Sequence, residues 1–492
     1  MKQGREAVRA LSSFQAFFGI DARSLAFFRI GLGFLILTDL FFRSLDLTAF
    51  YTDQGVLPRS FLVQKLFKPG YFSLHVLGGS TFFEAILFSI AGLFALCLLL
   101  GYRTRICTFF SWVLLLSIQN RNPEILNAGS NLFRMLLFWS IFLPLGRMGS
   151  LDASRDSNDS QKTPMTIFSA ASVALLLQVA IMYGFAFHHR KGPDWHAEGS
   201  ALFNALSLDQ MVKPFGHFWL KFPIGLELAT RLSLYFEIAA PILFFLIPFI
   251  LKKSGHLGFA RTGIIFALMC FHLAIYFSLE TGLFQPICIV ALISFLPGWF
   301  WERVPFRFAS SRLEFPAREK GLSCLNQIFV GGCLLWVLFW NISNDIPVLQ
   351  QSIPKPLRVI TGILRLDQKW KMFSDTFLED GWFVIPGKLV DGRVVDLWRQ
   401  GRPVSWDKPQ DLYKMYPNEF WQKYMTNLAR AHRDPLYRNY FAKFLCRQWN
   451  KSHDAASDKL LSFEIYYIIE QNLPNYQVAA PRKANLWAYQ CK

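Results

Sequence analysis

Long apolar blocks, each of roughly 18–25 residues and nearly free of charge, recur over the first two thirds of the chain; this is the length a helix needs to cross a hydrocarbon core about 30 Å thick. A helix satisfies all its backbone polar groups within itself, so such blocks restrict the fold to a polytopic α-helical membrane body. Nine spans are predicted, at about 24–42, 81–100, 106–120, 130–146, 165–187, 224–250, 262–278, 283–300 and 324–341. Before them lies a polar, basic segment, 1–23, read as cytoplasmic and without a signal-peptide cleavage site. After them come a linker, 342–365, and an extramembrane domain, 366–492.

The net charge of +17 would suit nucleic acid, but the basic residues lie mostly in short loops between apolar blocks, so nucleic acid is not an expected partner. Lys2, Arg5, Arg9, Arg23, Arg103, Arg105, Arg147, Arg155, Lys162, Lys252, Lys253, Arg261, Arg303, Arg307, Arg312, Arg318 and Lys320 all fall on one side of the nine-span plan. Lysine and arginine accumulate in cytoplasmic loops, which puts the N-terminus in the cytoplasm and, after nine crossings, the C-terminal domain outside.

The tail should be α+β. Gly381–Pro386 and Lys388–Trp398 read as strands, with Asp391-Gly392 as a tight turn inside the second stretch. Residues 409–450 read as amphipathic helices and Phe463–Ile469 as a further strand. The eight cysteines form neither a disulfide framework nor a CxxC motif, so no metal is expected; Cys446 and Cys491, both in the tail, could pair outside the cell.

Ionisable side chains inside spans are costly and therefore candidates for function. Arg29, Asp39 and Glu84 are read as bundle pairs, and Glu227 with Arg231 as a pair four apart on one helix. The stretch His188-His189-Arg190-Lys191-Gly-Pro-Asp-Trp195 gathers four nitrogen-bearing side chains where a span breaks at Gly-Pro, with Trp195 at headgroup depth. Its bland reading is an interfacial anchor. Glu237-Ile-Ala-Ala-Pro241 puts a proline inside a span, tolerated where protein or a wet cavity satisfies the freed carbonyl.

Several motifs, in order, carry a resemblance: Arg29 with Gly31-Leu-Gly; Tyr51-Thr-Asp-Gln-Gly55-Val-Leu-Pro58; Asn120-Arg-Asn-Pro123; Asn127-Ala-Gly-Ser-Asn131-Leu-Phe-Arg134; Trp195 with Gly199-Ser-Ala-Leu202; Glu237 to Pro241; His272 with Gly282-Leu-Phe284; and Phe295-Leu-Pro297-Gly-Trp-Phe-Trp301. With Trp370-Lys-Met-Phe373 and Asp380-Gly-Trp382 in the tail, the chain resembles the horizontally transferred transmembrane (HTTM) domain family, in particular bacterial relatives of the vitamin K-dependent gamma-glutamyl carboxylases. The resemblance implies a lysine that deprotonates reduced vitamin K or another quinol, oxygen-driven formation of a strong base, and carboxylation of glutamate in a peptide or protein. It also implies a bacterial inner (cytoplasmic) membrane. Lys191, Arg190, His188 and His189 become the catalytic candidates; Arg134, Asn131, Glu237, His272 and Trp195 become the substrate or quinone cavity.

The family's lysine precedes its tryptophan by five positions. Here that position is Arg190, with Lys191 one step later. Arginine stays protonated and is a poor general base. Either Lys191 takes over, about 100° around a helix, or the base is lost. The first alternative is a quinol-coupled enzyme acting at the outer face. The second is a non-catalytic membrane protein binding lipid, quinone or peptide and assisting a partner's maturation or export. A transporter lacks the matched broken helices of an inverted repeat, and haem lacks a reason to pair His188 with His272.

Overall fold

In the computed structural model the described residues are 14–15, 17–155, 165–251, 256–304, 324–374, 379–430, 434–473 and 477–491. Of the basic residues that set the expected orientation, Lys2, Arg5, Arg9, Lys162, Lys252, Lys253, Arg307, Arg312, Arg318 and Lys320 lie outside them, with most of the N-terminal segment.

Nine helices stand where the nine spans were expected: α1 (Ala22–Ser44), α2 (Thr81–Leu100), α3 (Thr104–Arg121), α4 (Ala128–Ser140), α5 (Ala170–His189), α6 (Pro223–Ile250), α7 (Leu257–Ser278), α8 (Phe284–Ile293) and α9 (Cys324–Ser343). Six of them, α1, α2, α5, α6, α7 and α9, are long and apolar enough to cross a membrane. The protein is therefore a multi-pass membrane protein. The count of nine goes beyond what helix length supports. α3 carries Arg105 near one end and Gln119-Asn-Arg121 at the other. α4 has 13 residues and α8 only 10; at 1.5 Å per residue they reach about 20 and 15 Å. α5 starts later than expected because Thr166–Ile167 (β2) pairs with Ile20–Asp21 (β1), after which Ser169 and Ser172 form a capping box.

Contacts sort the helix ends into two groups. At one end Ser24 of α1 donates to Leu296 O just after α8 (2.7 Å), and Ala170 N at the start of α5 donates to Gln327 of α9 (2.7 Å). Arg29 reaches Gly149 O beyond α4 (2.5 Å), Asp152 caps the start of α3 (2.8 Å), and Phe249 of α6 stacks on Phe17. At the other end Asp46 after α1 accepts from Trp421 (2.9 Å), Glu124 O after α3 accepts from Asn427 (2.7 Å), and Asn127 before α4 donates to Glu419 (3.1 Å). The ends of α5 and α9 meet there through His188 and Asp345 (3.1 Å). The charges expected to pair between helices do otherwise: Asp39 pairs with Arg43 of its own helix (2.7 Å), Glu84 with His75 and Arg29 with backbone carbonyls, while Glu227 and Arg231 pair along one helix as expected (3.0 Å).

Beyond α9 an amphipathic helix, α10 (Lys355–Leu364), is fastened to it by Trp336 Nε1 donating to Thr361 Oγ1 (2.8 Å). The tail is an antiparallel sheet of β3 (Glu379–Val384), β4 (Pro386–Leu389), β5 (Val394–Asp396), β6 (Leu460–Leu473), β7 (Gln477–Val478) and β8 (Arg482–Gln490). Two helices, α11 (Glu419–Ala429) and α12 (Pro435–Ser452), lie between β5 and β6 in sequence. β4 and β5 form the expected hairpin, whose turn has Gly392 at φ +91°. β3 pairs instead with the long β6, which takes β3 and β4 along one edge and β8 along the other. Cys446 and Cys491 are joined in a disulfide. Trp421, Tyr424 and Phe441 belong to one buried cluster that runs unbroken from the helical body into the tail.

Candidate functional site

α5 ends where Gly192-Pro193 stops it, and a short helix, Pro193–His196, folds Trp195 back over the preceding residues. The Arg190 guanidinium lies 4.5 Å above the Trp195 ring. Trp195 Nε1 donates to Phe373 O (2.8 Å), and Arg190 Nε to Met372 O (3.3 Å). Arg190 Nη1 donates to Glu237 of α6 in an ion pair that is almost wholly buried. Glu237 lies one turn before Pro241, so its own carbonyl lacks the N–H that residue 241 would otherwise supply.

This pair forms the charged wall of a cavity of about 540 Å³. Apart from Ser233 and Ser278 the rest is apolar, Leu202, Leu206, Leu226, Phe236, Phe271 and Phe373 among others, with Arg190 and Glu237 the only ionisable groups among its described lining residues. An aromatic ring with polar oxygens at one edge fits such a space. Apolar surface would cover the ring, while Arg190 donates and Glu237 accepts hydrogen bonds.

Residues 17–299, more than half of the chain, match the family model for the HTTM domain. The chain belongs to the HTTM family. No curated protein and no solved structure matches it. The HTTM match covers α1 to α8 and so includes Arg190, Trp195 and Glu237; the strap with Met372 and Phe373 that closes over them lies beyond it.

Within this HTTM body the expected site residues separate. Arg190, Trp195 and Glu237 come together at the apolar cavity. Lys191, one residue further, is exposed and lines a different, polar pocket of about 530 Å³ with His189, Asp194, Asp345, Lys371 and Ser374. The two cavities share no described lining residue. A lysine acts as a base near neutral pH when burial or neighbouring cations disfavour its charge, and an exposed position does not provide the burial. His188 has its Nε2 3.5 Å from Lys191 Nζ and belongs to the same polar side.

His272, Arg134 and Asn131, expected in the cavity, do not line it. His272 is sealed inside the bundle between Tyr183 OH (2.6 Å) and Gln285 Oε1 (2.5 Å). Arg134 is turned toward the chain itself: it donates to Asn131 Oδ1 (2.6 Å), Arg365 O (3.0 Å) and Asp367 O. Arg365 in turn reaches Asn120 and Asp367 and lies over the Tyr71 ring. Burial works against charge on Asp367, but Arg365 and Arg134 hold its carboxyl below the usual range.

These contacts make residues 365–374 a strap across the tail end of the HTTM body. Gln368 meets Gln178 (2.9 Å), Trp370 is fully buried, and Phe373 adopts φ +52° to present its carbonyl to Trp195 and its ring to the cavity. The Trp370-Lys-Met-Phe373 motif pointed to this segment, but its role as cavity wall was not legible. Asp345 and Ser374 were missed entirely, and Lys371 entered only as part of that motif.

Proposed function

We propose that this HTTM protein binds a quinone-class ring in the apolar cavity, with the ring oxygens on Arg190 and Glu237, and that it lacks the lysine-driven carboxylation of glutamate. The observation that carries this is the buried Arg190–Glu237 pair on an otherwise apolar wall, at the position where the carboxylase pattern has its lysine. A guanidinium binds oxygens well and accepts protons poorly, so it suits holding a quinone rather than activating one. Reduced vitamin K or another quinol remains the natural ligand class, and bound lipid is the nearest competitor.

The membrane arrangement belongs to the same reading: nine passes, with the N-terminus in the cytoplasm of a bacterial inner membrane and the tail outside. The alternation of helix ends between two groups supports nine passes, since α3 and α4 run between the groups and α8 starts beside Glu419 and ends at Leu296. The Cys446–Cys491 disulfide supports an oxidising compartment for the tail.

The test is titration of purified full-length protein in nanodiscs with a short-chain naphthoquinone, beside Ala205→Trp and Ala229→Trp, which fill the cavity from two sides. Saturable binding weakened at least tenfold by both substitutions is expected; no binding by a folded wild type, or binding unchanged in both variants, refutes the reading. Labelled carbon dioxide should not enter a glutamate peptide in the presence of the quinol. Incorporation that disappears in Lys191→Ala would instead establish a carboxylase with Lys191 as its base.

A further inference from the structure

At the polar pocket, which His189 and Asp345 line and His188 adjoins, stands a second constellation built from two helix ends that are distant in sequence. His188 and His189 close α5; Asp345 follows α9. Their ligand atoms all lie within 4.8 Å of one another. Asp345 Oδ2 is 3.1 Å from His188 Nε2, and Oδ1 is 3.5 Å from His189 Nδ1. Successive residues on a helix diverge by about 100°, yet one carboxylate touches both rings here. We propose that His188, His189 and Asp345 bind a divalent transition metal, with zinc as the reference ion.

Geometry and donor type both favour this. Zinc bonds of about 2.0–2.1 Å place tetrahedral ligand atoms about 3.4 Å apart; the two rings stand 3.1 and 3.5 Å from the two oxygens of the one carboxylate, and the three ligand atoms lie within 4.8 Å of one another. Two imidazoles and a carboxylate match the borderline-soft ions, and three protein ligands leave a coordination position open. The ligands are also held from behind. Phe185 packs edge-on against the His188 ring and tilted against that of His189, while Asn344, next to Asp345, donates to Gln368 O in the strap (2.7 Å). His189 and Asp345 line the pocket that also holds Lys191, Lys371 and Ser374, whose two ammonium groups would favour an anionic fourth ligand such as a carboxylate. Lys191 Nζ, now 3.5 Å from His188 Nε2, swings away when the metal takes that nitrogen; its exposure leaves it free to do so. The site is independent of quinone binding, since none of its ligands lines the apolar cavity.

The competing account is that two imidazolium rings merely hydrogen-bond one carboxylate. Titration of tag-free, chelator-stripped full-length protein in detergent with Co²⁺, read by its visible ligand-field bands and by Zn²⁺ competition, separates the two. One ion per chain is expected, with His188→Asn and Asp345→Asn each weakening it at least tenfold, and His453→Asn, in the tail, leaving it unchanged. Both ligand residues are partly exposed, so the variants should fold; size-exclusion profiles check that. Absence of stoichiometric Co²⁺ or Zn²⁺ in folded wild type overturns the proposal, as does undiminished affinity in both ligand variants.

Discussion

Glu237→Gln removes the charge that compensates Arg190 while keeping the size of the side chain and one hydrogen-bond acceptor. Breaking a buried ion pair from one side typically costs about 3–5 kcal/mol, because the remaining charge stays desolvated. The retained acceptor places the expected loss near the lower limit, at about 3 kcal/mol. Arg190→Met removes the other partner, together with the hydrogen bond to Met372 O and the stacking on Trp195, each worth about 1 kcal/mol. Its cost should be about 4 kcal/mol. The double variant Arg190→Met/Glu237→Gln leaves no charge at the site. With neither ion stranded in the apolar wall, only the strap and stacking contacts are lost, about 2 kcal/mol. The coupling energy is then about 5 kcal/mol by these figures, and at least about 2 kcal/mol after allowance for relaxation of the cavity wall. Unfolding of the four proteins by SDS in mixed micelles, followed by tryptophan fluorescence, measures it. Additivity within about 0.5 kcal/mol would show that the two side chains are not a desolvated pair and would remove the basis for placing quinone oxygens between them.

Three other outcomes follow from the tail and its attachment. Burial, with the Asp209 carboxylate adding to it, pushes the Asp380 carboxyl up to about 7 from an ordinary 3.8, and burial beside Asp39 likewise pushes Glu419 up to about 7. The folded state therefore holds protons that the unfolded chain releases, and stability falls as pH rises from about 4 to 7, by about 4 kcal/mol for Asp380. Thermal unfolding across that range should flatten in Asp380→Asn/Glu419→Gln, and an unchanged slope would refute it. Serine at Cys446 and Cys491 should cost the tail about 4 kcal/mol for a 45-residue separation. Mass spectrometry after alkylation without reductant checks the bond: modified cysteines at both positions would contradict it. Arg134→Met leaves the carbonyls of Arg365 and Asp367 without their donor and should cost about 3 kcal/mol. Limited proteolysis should then cut within residues 365–374, where the wild type resists.

Helix positions were legible because hydropathy is a one-dimensional property and the bilayer imposes one length on it. The β4–β5 turn was legible for a comparable local reason, since Asp391-Gly392 supplies the backbone that a tight turn requires. β8 escaped notice because Arg482, Lys483, Asn485 and Gln490 interrupt its apolar residues and it is only half covered, although its pairing with β6 is extensive. At the site, Arg190 and Lys191 differ in sequence by one step, and the end of α5 sends one side chain into the cavity and the other toward solvent. Asp345 carried no local signal, because its meaning comes from His188 on a different helix. Arg134 stood out as a charge in an apolar segment, but its partners are mostly backbone carbonyls, which no side-chain pattern reveals.

The strap also has a consequence in time. Arg134 is synthesised 231 residues before the carbonyl of Arg365 that it binds. At a translation rate of about 5–20 residues per second, the nascent chain carries that guanidinium for about 10–50 s before its partners in the strap are made. α1 to α8 therefore enter the membrane carrying a cation whose contacts, Asn131 apart, come from a later segment. Completion of the bundle waits on the arrival of the strap, so a ribosome stalled shortly after α9 would leave behind an apolar chain with an uncovered positive charge where the strap should lie, a species that membrane quality control could tell apart from the finished protein.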